Sequence, residues 1–136
     1  MKYVVDASAM LAYFLDEKGG DIAGDYIRKC EQLDIKLYLT KFNWYETYYT
    51  LCRRIGGERA HELFAVVVQS PIEIIEEFHY FVFHEAVRLK VGYKMSLADA
   101  IGVATASIMD VPFITSDRGE LDAVDRNESI EFVWIR

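Results

Sequence analysis

The chain has 136 residues, enough for one domain with a substantial buried core. Hydrophobic residues make up 52% of it, only 2 Pro occur and no Ser- or Gly-rich tract is present, which excludes a disordered or linker-type chain. A formal charge of −7 argues against nucleic-acid binding by bulk electrostatics and favours a basic protein partner, yet leaves room for nucleic acid at a metal site, where bound cations reverse the local sign.

In chain order, Lys2 to Val5 is a short run of β-branched and aromatic type and predicts a buried strand that Asp6-Ala7-Ser8 ends. Residues 8–15 read as a short helix through Met10, Leu11, Phe14 and Leu15. Gly19-Gly20 breaks the chain, and residues 21–33 then place Ile22, Tyr26, Cys30 and Leu33 at helical spacing. Leu37-Tyr38-Leu39 predicts a second strand, with Thr40 as N-cap of a helix over 41–55 that carries Phe42, Tyr45, Tyr49 and Cys52 on one stripe. Gly56-Gly57 stops it, and a fourth helix covers 58–69. Ile72 to Ile75 predicts a third strand and 77–91 a helix closed by Gly92. Ser96 caps a helix over 97–109, and Pro112 to Thr115 is a fourth strand. A short helix or turn follows Asp117, and Ile130 to Trp134 alternates as a last strand at an edge. Strands alternating with helices imply an α/β layered fold around a mostly parallel sheet, expected here as one domain over 1–136.

The N-terminus puts a charge straight after its apolar run, unlike a signal peptide, and charge-free stretches such as Ile101 to Met109 are far too short to span a bilayer. Cytoplasmic residence and no membrane partner are the expectation. Cys30 and Cys52 form no CxxC and read as free thiols of a reducing compartment.

Four acids stand beside core-forming segments: Asp6 after Val4-Val5, Glu46 in the aromatic helix, Asp99 in Ser96-Leu97-Ala98-Asp99, and Asp117 after Ile114-Thr115-Ser116. A carboxylate in such a place needs a neutralising partner. In open α/β sheets ligands bind beyond the carboxyl ends of the strands, which lets Asp6 and Asp117 share a site. The partner that suits clustered carboxylates is a hard divalent cation, Mg²⁺ or Mn²⁺, and the chemistry is metal-assisted hydrolysis. Each acid also has a plain structural role open to it. Asp6 and Asp117 suit helix N-caps, Glu46 an outer helix face, and Asp99 the return bond of a capping box. Gly102, Val103 and Ala106 on the Asp99 face are small enough to leave room for a metal or substrate. Asp122 and Asp125 have no strand behind them and read as surface charges. His61, His79 and His84 lack zinc spacing, and the two Gly-Gly pairs lack a phosphate-loop context.

The ordered set Val4-Val5-Asp6-Ala7-Ser8-Ala9, Asn43-Trp44-Tyr45-Glu46, Ser96-Leu97-Ala98-Asp99-Ala100-Ile101-Gly102 and Phe113-Ile114-Thr115-Ser116-Asp117 resembles the PIN-domain family of metal-dependent ribonucleases, especially VapC-type toxins. The resemblance implies a three-layer α/β fold with the sheet between helices. It also implies Asp6, Glu46, Asp99 and Asp117 as catalytic and metal-holding residues for Mg²⁺ or Mn²⁺. Ser8, Ser116 and Arg118 would support the metal shell or the substrate. RNA would be the substrate, the chain would pair as a homodimer, and an antitoxin would block the site. The pattern departs in two places, and in the first many relatives have an aromatic residue shortly after the last Asp, where this chain reads Arg118-Gly119-Glu120-Leu121. The Glu46 segment is also richer in aromatics, which suits a partner or dimer surface, and Lys41, Arg53, Arg54 and Lys94 offer a modest basic rim.

Rival functions are weaker. An aspartyl-phosphate phosphatase needs a second Asp two residues after the first, and position 8 is Ser. A receiver-like domain needs paired acids after its first strand, which this chain lacks. An RNA-processing nuclease outside a toxin pair, or a catalytically silent PIN-fold interaction protein, remain as alternatives within the same fold.

Overall fold

The computed structural model describes residues 1–136. Five strands and seven helices follow one another as β1 (Lys2–Val5), α1 (Ala7–Phe14), α2 (Gly20–Glu31), β2 (Lys36–Thr40), α3 (Lys41–Ile55), α4 (Gly57–Gln69), β3 (Glu73–Ile75), α5 (Tyr80–Gly92), α6 (Leu97–Met109), β4 (Phe113–Thr115), α7 (Arg118–Asn127) and β5 (Phe132–Trp134). The strands form one sheet in the order β3-β2-β1-β4-β5, and every pair is parallel. Val4 lies opposite Tyr38 on one side and Phe113 on the other.

The period-two alternation of buried strands splits their side chains between two cores. Val5, Leu37, Leu39 and Ile114 face Met10, Ala23, Ile27, Trp44 and Val67 of α1 to α4. Val4, Tyr38 and Phe113 face Ala86, Leu89, Ile101, Ala104, Leu121 and Val124 of α5 to α7. The result is the expected helix–sheet–helix layering. The chain runs outward from β1 through β2 to β3, then returns to place β4 on the other flank of β1. That reversal opens a crevice beyond the carboxyl ends of β1 and β4.

Helix starts are set by capping side chains. Thr40 Oγ1 accepts the Asn43 N–H (3.1 Å) and Ser96 Oγ accepts the Asp99 N–H (3.2 Å). Gly56, at a left-handed φ of 88°, turns the chain out of α3 as its position required. Three expectations shift. α5 starts at Tyr80 rather than 77, with His79 as N-cap and its carbonyl accepting the Phe83 N–H (2.8 Å). The segment after Asp117 is a full helix of 10 residues, because Asp117 caps it and Leu121 and Val124 are buried beneath. The sheet is wholly rather than mostly parallel. β5 lies at an edge, as expected, and the three histidines are exposed. Cys30 and Cys52 are free thiols, the first buried and the second half-buried. No helix is long and apolar enough to cross a membrane.

Candidate metal centre

The end of β1 delivers Asp6 into the crevice. It is fully buried and is the N-cap of α1, its Oδ1 accepting the Ala9 N–H (2.9 Å) and the Ser8 hydroxyl (2.7 Å). Its Oδ2 accepts the Thr115 hydroxyl at 2.6 Å. Burial pushes its carboxyl up to about 6, with the Thr115, Ala9 and Ser8 bonds working the other way and the Asp117 charge adding to the rise. Ser8 also accepts the Ser116 N–H (2.9 Å), so both hydroxyls sew the end of β1 to the end of β4. Asp117 follows β4 and caps α7, its Oδ1 accepting the Glu120 N–H at 3.3 Å. The capping roles weighed for Asp6 and Asp117 are therefore present, and they hold the carboxylates at the crevice rather than competing with it.

Asp99 sits in the first turn of α6, 5% exposed. Its N–H donates to the Ser96 hydroxyl oxygen, but the second half of the capping box is not made by Asp99. Glu120 Oε2, reaching across from α7, accepts the Ser96 N–H at 3.3 Å. Asp99 is thereby released, and its carboxyl meets that of Glu120. Burial, then the bond to Glu120, then the charges of Asp6 and Asp117 raise it well above the carboxylate range. Glu120 is lowered, chiefly by the same bond from Asp99. Glu46, half-buried on α3, is raised by burial first and then by Glu120 and Asp117. Asp117 thus raises Asp6, Glu46 and Asp99, and Glu120 raises Glu46 and Asp99, which links five carboxylates from four elements. None is within ion-pair distance of a Lys or Arg, since every ion pair of the chain involves other acids.

Oxygens of Asp99, Asp117 and Glu120 lie within 4.8 Å of one another. An octahedral Mg²⁺ with ligands near 2.1 Å holds oxygens up to about 4.2 Å apart, so a small closure would seat an ion among them. The donor set is all hard carboxylate oxygen, which suits Mg²⁺ or Mn²⁺ and not a soft metal.

Four other expectations need revision. The small face around Gly102 does not leave room for a ligand. A Cβ there would lie 2.7 Å from Asn43 Nδ2 and 3.0 Å from the Phe113 ring, so the face is filled by α3 and β4. Arg118 is occupied elsewhere: its guanidinium lies 4.1 Å from the Trp134 ring centre, with Nε donating to the Arg136 carbonyl and Nη1 3.4 Å from Asp122. Asp125 accepts the Trp134 indole N–H at 2.9 Å and is a tie to β5 rather than a free surface charge. In the supposed basic rim, Lys41 pairs with Glu76, Arg54 with Glu17, and Arg53 lies over Tyr49.

Three residues escaped the sequence reading: Glu120, Thr115 and Asn43. Asn43 is fully buried. Its Oδ1 accepts the Ala7 N–H (3.1 Å), and its Nδ2 donates to the Ala98 carbonyl (3.2 Å) and Thr40 Oγ1 (3.3 Å). One amide thus fixes the starts of α1, α3 and α6, each of which carries or abuts an acid. A polar residue directly after the Thr40-Lys41-Phe42 cap, flanked by aromatics, was the one available hint.

A family model described as PIN domain matches residues 3–127. No curated protein matches the chain by sequence. Among solved structures, the fold is similar to VapBC2 from Rickettsia felis bound to a DNA fragment from their promoter (TM-score 0.74, 12% identity, 98% of both chains covered). It is also similar to DNA-bound VapBC from Salmonella typhimurium (0.74, 10%, covering 100% of this chain and 99% of that one). A third is VapC20 from Mycobacterium tuberculosis, described as a sarcin-ricin loop cleaving toxin (0.69, 16%, 89% and 94%).

Proposed function

The chain belongs to the PIN-domain family, and from that premise we propose that it is a metal-dependent endoribonuclease, the toxin of a toxin–antitoxin pair, acting in the cytoplasm as one domain over 1–136. The observation that carries this is the convergence, without any basic partner, of carboxylates from β1, α3, α6 and α7 at the crevice where the strand order reverses.

Asp6, Glu46, Asp99 and Asp117 hold Mg²⁺ or Mn²⁺ in this reading. Such an ion supplies an activated water near neutral pH and offsets charge on the phosphate oxygens. The chain's own part is preorganisation. Thr115, Ser8 and the Ala9 N–H fix the Asp6 carboxylate, and the Asn43 amide fixes the helix starts behind the acids. Ser116 contributes through its backbone N–H to Ser8. Arg118, held on Trp134, would have to leave that ring to reach a phosphate.

Two apolar surfaces suit the partners. An antitoxin segment fits the groove of about 390 Å³ between α1, α2 and α4, lined by Met10, Tyr13, Phe14, Ile27, Leu63 and Val66. A second copy fits the exposed aromatic face where Phe42 packs edge to face on Phe78 and Tyr80 on Phe83, Phe83 lies tilted against Phe78, and Tyr45 lines the same hollow as Phe42 and Phe78. Tyr45 is 71% exposed although it lies on the helix that carries Glu46.

The test is RNA cleavage by the purified chain with Mn²⁺, with EDTA, and with Asp99→Asn. EDTA and the substitution should each abolish cleavage. The ion-free variant should melt at the same temperature or higher, because a buried acid among acids has been neutralised. Cleavage that survives EDTA would end the metal-dependent reading. The same preparation of Tyr45→Glu, weighed by sedimentation, should be half the mass of the wild type.

A further inference from the structure

We infer that Glu120 is a fifth carboxylate of the cation site, binding one ion together with Asp99 and Asp117. The inference rests on the proposed metal centre and adds a ligand to it, from the segment where this chain departs from the family pattern.

The geometry is built from both neighbouring helices. Asp117 caps α7 by accepting the Glu120 N–H, which fixes the Glu120 backbone one turn from the crevice. The side chain then reaches to α6, where Oε2 accepts the Ser96 N–H. That is the amide a capping-box acid at position 99 would take. With the amide already served, Asp99 has no N–H of its own turn to bind, and its carboxyl is turned onto Glu120. Oxygens of the three acids come within 4.8 Å of one another, close to the spread a six-coordinate ion imposes.

A second observation points to a ligand independently of this clustering. Asp99 is only 5% exposed, and its carboxyl faces the carboxyls of Asp117 and Glu120. No Lys, Arg or hydroxyl group answers it. Asp6, by contrast, is fully buried and accepts three bonds from its surroundings. A buried carboxyl with only other carboxyls to face is a place prepared for a positive charge.

Glu120→Gln separates the two roles open to this side chain. Glutamine keeps an oxygen to accept the Ser96 N–H and loses the charge. Mn²⁺ titrated calorimetrically into the ion-free wild type should bind, and Glu120→Gln should weaken it by about tenfold or more, with no fall in the ion-free melting temperature. Asp125→Asn, on the same helix, should bind as the wild type does. Glu120→Asp keeps the charge on a stem one methylene shorter; it should bind measurably more weakly than the wild type, and it serves if the glutamine variant does not fold. Unchanged Mn²⁺ affinity in either Glu120 variant, with Asp99→Asn and Asp117→Asn still impaired, overturns the inference and leaves Glu120 a helix cap while the metal centre stands. A wild type that does not bind Mn²⁺ overturns both.

Discussion

Asn43 shows how much of this site depends on residues that carry no charge. Its amide is fully buried and joins Ala7, Thr40 and Ala98, three points far apart in the chain. Asn43→Ala leaves the Ala7 N–H and the Ala98 carbonyl without their partner in a dry interior. Such a loss costs about 1–3 kcal/mol per group, so the variant should unfold at a clearly lower urea concentration. Asn43→Asp should fare no better, since it keeps an acceptor for Ala7 but has nothing to donate to Ala98. The acids were conspicuous in the sequence because a charge after an apolar run is costly anywhere. Asn43 and Thr115 were not, because neutral polar residues near turns and caps are ordinary, and only their partners distinguish them.

At the scale of elements, α6 is the helix whose packing the site depends on. It is buried from Asp99 to Ala106, and Gly102 is where α3 and β4 press closest. Gly102→Ala would gain about 1 kcal/mol of helix propensity. It would also force both the Asn43 amide at 2.7 Å and the Phe113 ring at 3.0 Å to move, an overpacking cost of about 1–3 kcal/mol. The net effect should be a lower melting temperature. Gly57→Ala, at the start of α4 with nothing within 4 Å, should leave stability equal or raise it. The contrast between the two in one thermal melt separates packing from propensity. α7 makes the same point in another way. Its polar sequence suggested a short helix or turn, yet Asp117 caps a full helix, Leu121 and Val124 bury beneath it, and Arg118 and Asp125 clasp Trp134 of β5.

The whole molecule carries its acids in two opposite arrangements, and this sets how its stability follows pH. Asp6, raised from 3.8 to about 6 by burial, binds its proton more tightly folded than unfolded. Its effect therefore favours the native state below about 4 and is lost as pH rises through 6. Asp99 and Glu46, raised first by burial, act in the same direction. Glu85 and Glu128, both lowered chiefly by hydrogen bonds from Arg88, act in reverse, contributing above the ordinary carboxylate range and losing that contribution as pH falls through their lowered values. The ion-free melting temperature should therefore decline from pH 5 to pH 7. Asp6→Asn should reduce that decline, and saturating Mn²⁺ should flatten it by stabilising the charged cluster. A decline identical in wild type and Asp6→Asn would show that the crevice does not set it.

Local chemistry alone determined the alternation of strands and helices, the caps at Thr40 and Ser96, and the four acids set against apolar segments. Each of these follows from near neighbours in the chain: a branched run, a hydroxyl before a helical period, a charge where desolvation is costly. Tertiary structure decided the order of the strands, the use of Gly102 for packing instead of ligand space, and the entry of Glu120 into the cluster. Those depend on contacts between helices 20 or more residues apart, where one side chain can take an amide that its local pattern assigns to another, and no spacing along the chain records which of the two will do so.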